Sequence, residues 1–234
     1  MNTAKFMQEL EQIHLFLLKM KKSIFVISGL GADHEVFKKL ELSGYEMIHI
    51  KWVDTIKGES LAEYATRLLP QITEQNPIIM GLSLGGMLAL EVSKQIPTEK
   101  VISLSSAIGY HELPWYYMLV GRLKAQKWLP IYAFARGNYF TNWLFGVQQK
   151  DDIAILQRLF DRLDKNFLFW ALNAVLKWNK NEKPKNMIRI HGTSDRVLPM
   201  KKKVKYDAVI KNGTHLMLLD KSEEVSAILN KYLS

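Results

Sequence analysis

The chain has no cysteine, which excludes disulfides, thiolate metal sites and a cysteine nucleophile together. That absence fits a reducing cytoplasm, the expected compartment. No apolar run approaches the ~18–20 residues needed to cross a bilayer. The opening segment MNTAKFMQELEQIHLFLLKMKK lacks a basic region followed by a small-residue cleavage site, and Glu9 and Glu11 precede its apolar part. It therefore does not read as a secretory signal. Residues 1–21 are expected to form an extension, helical or disordered, with Met20 a candidate alternative start. Internal repeats and low-complexity segments are also missing.

Charge of one sign is in modest excess. Thirty-two basic residues face 23 acidic ones, for a formal net charge of +9. The lysines are mostly dispersed, with one cluster, KKKVK at 201–205. A solvated loop or short helix is the expectation there, and a binding patch the alternative. Aromatic and basic residues do not interleave as in a nucleic-acid module. Neither nucleic acid nor membrane is therefore expected as a partner.

What the chain does have is ordinary globular composition, 48% hydrophobic and 24% charged over 234 residues. That length suits one domain carrying an insertion. Six short apolar runs recur: 23–27, 47–50, 77–80, 101–104, 187–190 and 207–210. Near-continuous apolar runs suit strands buried on both faces of a parallel sheet. Between them lie helical stretches. Ser60-Leu61-Ala62-Glu63 reads as a capping box, opening a helix that Pro70 kinks or ends. Leu84, Met87, Leu88 and Val92 fall on one helical face. Residues 221–233 read as a final helix with Glu223 and Glu224 in its first turn. Strand–helix alternation predicts a doubly wound α/β sheet.

The alternation breaks between Ser106 and Lys185. This stretch is helical in pattern and holds five of the six tryptophans: Trp115, Trp128, Trp143, Trp170 and Trp178. It is expected to be a helical insertion over one edge of the sheet.

The chemistry concentrates in four segments. Gly81-Leu82-Ser83-Leu84-Gly85 is G-x-S-x-G, placed after a strand and opening a helix. A serine at a sharp strand-to-helix turn has its hydroxyl presented clear of the sheet, and small neighbours let the turn close. A glycine-rich turn before a helix is the alternative. Ser28-Gly29-Leu30-Gly31-Ala32-Asp33 follows the first run. Its Leu30 N–H, with the Leu84 N–H, is the candidate oxyanion donor pair. That loop fails G-x-G-x-x-G, because His34 stands where the last glycine would be. Asp195, after the fifth run in HGTSDRVLP, is the candidate orienting acid, and His215, after the sixth in NGTH, the candidate base. Both should emerge at the carboxyl ends of parallel strands, on the same edge as Ser83. His191 is a lesser candidate base, with packing or structural hydrogen bonding the first expectation. His34 could touch substrate, and Asp33 or Asp207 are fallback acids.

With SGLGAD, GLSLGG, HGTSDRVLP and NGTH, the chain resembles the α/β-hydrolase superfamily across residues 22–106 and 185–234. The resemblance implies an α/β-hydrolase fold with a Ser83, Asp195, His215 triad and a Leu30/Leu84 oxyanion hole. It implies too that residues 107–184 form a lid over the site. No hairpin signal precedes Ser23, so a minimal, mostly parallel six-stranded sheet flanked by helices is expected. The expected chemistry is cofactor-independent, metal-free hydrolysis of a small-molecule ester or thioester through an acyl-enzyme. A C–C hydrolase or lyase on the same triad, and a sensor on a hydrolase scaffold, stay open. Trp115, Trp143 and Trp170 are candidate substrate-pocket residues, with packing of the insertion as the alternative.

Overall fold

In the computed structural model, residues 21–117, 138–179 and 181–234 are described. The expectations for residues 1–20, and for Trp128 and the rest of 118–137 in the insertion, lie outside them.

Six strands form one sheet: β1 Lys22–Ile27, β2 Tyr45–His49, β3 Ile78–Leu82, β4 Lys100–Leu104, β5 Met187–Gly192 and β6 Ala208–Ile210. Their order is β2-β1-β3-β4-β5-β6, and every pairing is parallel. The chain therefore winds outward from β1 to β2, crosses back to β3, and then steps steadily to β6. This reversal leaves a crevice at the carboxyl ends of β1 and β3, the usual site for ligands in an open α/β sheet.

Period-2 alternation sends successive side chains to opposite faces. On β1, Phe25 and Ile27 join a core with Leu61, Tyr64 and Leu88, while Ile24 and Val26 join another with Met217, Leu218 and Leu229. Both faces are thus covered by helices, as the apolar runs require.

The helix α1 (Leu61–Leu68) begins at the expected capping box, with Ser60 Oγ accepting from Glu63 N and Glu63 reaching back to Ser60 N. Pro70 then lies in a tighter 3₁₀ turn, Leu69–Gln71. The helix α2 (Leu84–Ser93) departs from expectation. It is buried on every side from Leu84 to Val92, not along one face. The helix lies against β3 and β4 beneath α1, and even Glu91 is covered, accepting from Trp178 Nε1 and Lys94 Nζ. Asp207 precedes β6 instead of starting it, because its carboxylate takes Lys183 Nζ and Arg189 N.

Between β4 and β5 the described residues include a turn at Tyr110–Glu112, a helical stretch at 115–117 and the helices α3 Tyr139–Phe145, α4 Lys150–Asp161 and α5 Lys165–Leu176. The start of this stretch is pinned by a buried bidentate pair. Arg189 Nη1 and Nη2 donate to Glu112 Oε1 and Oε2 at 2.9 and 2.6 Å. The stretch returns to its own start, since Asn181 N and Nδ2 both donate to Ile108 O. The chain ends in a short α6 (Met217–Asp220) and then α7 (Ser222–Leu233). The KKKVK cluster makes no regular element, and Lys202, Lys203 and Lys205 are exposed.

Candidate active site

Ser83 stands between β3 and α2 with φ 54° and ψ −118°. A non-glycine residue rarely adopts positive φ, and the surroundings hold it there. Its N–H donates to Leu104 O at 2.9 Å, and Ser106 Oγ donates to its carbonyl at 2.6 Å. The glycines of the motif are required by contact. A Cβ on Gly81 would lie 2.1 Å from Gly85 O, and one on Gly85 would lie 2.1 Å from Ile27 O. No other residue fits either position without moving backbone.

Ser83 Oγ donates to His215 Nε2 at 2.9 Å, and His215 Nδ1 donates to Asp195 Oδ2 at 2.8 Å. The three sequence candidates, spread over 132 residues, thus form one hydrogen-bonded chain. The Phe145 ring meets the His215 ring edge-on at 5.6 Å and backs it from α3.

Asp195 is buried, and its other oxygen, Oδ1, accepts from Val197 N at 2.9 Å and Leu198 N at 2.8 Å. Burial pushes its carboxyl up. Hydrogen bonds from His215 and His191, and the attraction between the carboxylate and these rings when they are protonated, outweigh burial and hold it well below the usual carboxylate range. His191 is engaged elsewhere. Its Nε2 lies 2.7 Å from Leu198 O and 3.3 Å from Asp195 Oδ2. A carbonyl can only accept, so this nitrogen carries the proton. It ties down both ends of the Asp195–Leu198 turn. The fallback acids are engaged elsewhere: Asp33 with Glu35 N and Arg162, Asp207 with Lys183. His34 packs edge-on against His49, not into the site.

The loop after β1 lies alongside the elbow. A Cβ on Gly29 would be 3.4 Å from Ser83 Cβ, and Ser28 Oγ closes the loop by donating to Ala32 O at 2.7 Å. Leu30 and Leu84, the candidate oxyanion residues, line the same cavity as Ser83 and His215. Leu84 opens α2, where backbone N–H groups have no intrahelical acceptor.

That cavity, about 240 Å³, is roofed by α3, α4 and α5. Its helical wall is chiefly leucine: Leu156 and Leu159 on α4, Leu163 after it, Leu168 and Leu172 on α5. Among the described residues none of its lining side chains is charged. The expected pocket tryptophans do not line it. Trp115 is 73% exposed. Trp143 faces outward, half-exposed beneath the Arg196 guanidinium at 4.7 Å. Trp170 is core, its ring tilted against that of Tyr64 at 4.2 Å and its Nε1 donating to Glu59 O. The residues that do form the wall were signalled by leucine spacing, at i, i+3 and i+7 from Leu156 and i, i+4 from Leu168, more than by aromatic content.

No protein-family model matches the sequence, and no curated protein sequence is significantly similar to it. Solved structures do match. A thermophilic esterase from Thermogutta terrifontis superposes with a TM-score of 0.67 at 13% identity, covering 92% of this chain and 90% of that one. A lipase-esterase related protein from Clostridium acetobutylicum gives 0.62 at 20% identity, over 90% and 94%. An alpha/beta hydrolase fold protein from Burkholderia ambifaria gives 0.60 at 14% identity, over 89% and 90%. The chain has the α/β-hydrolase fold.

Proposed function

We propose that this α/β-hydrolase-fold chain is a serine hydrolase that cleaves carboxylic esters, or thioesters, through an acyl-enzyme. The observation that carries the reading is the unbroken chain Asp195–His215–Ser83, ending on a serine in a strained turn beside an apolar cavity. Asn76, Ser105 and Asn212 also have positive φ, but Ser83 combines it with a hydrogen bond to a histidine, and strain at such a residue is a pointer to function. The esterase and lipase-related names of structural neighbours agree with it.

In the first half-reaction Ser83 Oγ attacks the carbonyl carbon while its proton passes to His215 Nε2. The resulting oxyanion sits between the N–H groups of Leu30 and Leu84. As the intermediate collapses, the carbon–leaving-group bond breaks and His215 returns its proton to the departing alkoxide or thiolate. In the second, water attacks the acyl-Ser83 ester while His215 takes its proton; as the acyl carbon–Oγ bond breaks, His215 returns that proton to Ser83 Oγ, restoring the free hydroxyl and the neutral base. The acid product is released. Asp195 stays ionised throughout, orients the ring and stabilises the imidazolium. The described helices between β4 and β5 act as the lid, excluding water while the acyl group is held.

Hydrolysis of p-nitrophenyl butyrate by wild type, Ser83→Ala and His215→Ala tests the proposal. Each folded variant should lose about 10⁴- to 10⁶-fold in kcat. Retention of wild-type rates by Ser83→Ala would refute it.

A further inference from the structure

We infer that the cavity beside Ser83 is an acyl site for an uncharged, flexible aliphatic chain of roughly six to ten carbons, at about 30 Å³ per water-sized group. The substrates are then monoacyl esters of medium-chain acids. This deepens the acyl-enzyme reading and rests on it.

The walls decide the chemistry. The cavity is contiguous with Ser83 and His215, passes Leu30, Leu84 and Met87, and runs under the leucines of α4 and α5. Leu30, Leu84 and Met87 line it on the oxyanion side of Ser83, and Phe145 and Leu216 line it on the His215 side; the acyl chain, which continues from the carbonyl held by Leu30 and Leu84, takes the oxyanion side. The leaving group departs past His215.

Polar side chains are few in the lining. Besides Ser83 and His215, the polar lining side chains among the described residues are Thr141 and Tyr117. Thr141 caps α3 by exchanging hydrogen bonds with Asn138. Burial pushes the Tyr117 phenol up, so it stays neutral. Nearby cations are directed elsewhere. Arg196 Nη1 donates to Trp143 O on the outer side of α3, and Arg158 and Arg162 pair with Glu35 and Asp33. A carboxylate or phosphate on the acyl tail would be desolvated with no cation among the described residues to meet it, which is strongly unfavourable.

The shape favours a chain over a ring. Phe145 is committed edge-on to Phe160 and to His215. Phe140, also in the wall, is stacked on Trp143, and the rest of the helical wall is aliphatic, which packs against methylenes.

The test is the acyl series of p-nitrophenyl esters from acetate to palmitate, at constant leaving group. Benzoate and monosuccinate serve as the aromatic and charged comparators. A second series varies the alcohol at constant acetate. The expected result is a rise in kcat/KM of about fourfold per methylene, a maximum near eight carbons and a fall beyond, with both comparators far below the maximum. Leu172→Trp, which fills the cavity from α5, should move the maximum down by two or more carbons. The wild-type series stands alone if that variant does not fold. A flat acyl series, a preference for succinate or benzoate, length dependence confined to the alcohol, or an unmoved maximum in folded Leu172→Trp would each overturn the acyl site. The two readings fail separably. Covalent reaction with a small methyl fluorophosphonate and turnover of acetate, without length dependence, overturn the acyl site alone. Failure to react at all overturns the acyl-enzyme reading and this inference with it.

Discussion

Ser83 occupies a backbone region that costs on the order of 1–3 kcal/mol, and two glycines without room for a methyl group hold the turn closed around it. Asp195 has a comparable tension. It is fully covered, yet it stays ionised because His215, His191 and two backbone N–H groups all point donors or positive charge at it. Its pKa is depressed on folding, so the stabilisation it gives is present above the unfolded carboxyl value of about 4. That stabilisation is lost as pH falls through this value towards the folded one. The denaturant midpoint of wild type should therefore exceed that of Asp195→Asn by the largest margin near neutrality. The margin should shrink below about pH 4. A margin independent of pH would contradict the ion-pairing described here. These residues were legible because their chemistry is tied to fixed offsets from strand ends. The pocket tryptophans were not. Residue type says that Trp170 will be covered but not by what, and the direction of a helical side chain depends on where its helix starts.

At the scale of elements, α4 is tied to the loop after β1 that carries Leu30. Arg158 Nη2 donates to Glu35 Oε2 and Arg162 Nη1 to Asp33 Oδ2, both at 2.7 Å. The Arg158 hydrogen bond holds the Glu35 carboxyl below its usual range. Beneath these pairs Leu163 packs on Gly31, which has φ 71°. Exposed pairs of this kind add less than about 1 kcal/mol each to stability and are screened by salt. Their effect should lie in substrate binding instead, by keeping the roof seated on the loop that carries Leu30. Salt should raise the KM of wild type towards that of Arg158→Ala/Arg162→Ala, while the variant's KM stays nearly constant between 0.05 and 0.5 M NaCl (concentrations of about the range over which screening tightens). Equal salt responses would count against this coupling. All six strands could be read from their apolar runs, because parallel strands buried on both faces leave continuous signals. The full burial of α2 could not, since it depends on α1 lying over it. Nor could α6, whose four residues follow His215 without a cap.

Across the whole molecule, few positions have their identity dictated by geometry. Gly81, Ser83, Gly85, Asp195 and His215 are among them, and most of the rest need only be apolar on the right face. A fold can therefore persist while most of its sequence changes, and the bond cleaved is set by the cavity walls, not by the sheet. The described helices include none long and apolar enough to cross a membrane. The positive charge is spread over solvated side chains such as Lys202, Lys203 and Lys205. The proposed chemistry turns on one atom, Ser83 Oγ. Intact-mass analysis after incubation with a fluorophosphonate, with wild type and folded Ser83→Ala in parallel, tests it most directly. The expected result is a single adduct on wild type, mapping to the peptide that contains Ser83, and none on the variant. An unmodified wild type, or equal labelling of both proteins, would contradict it.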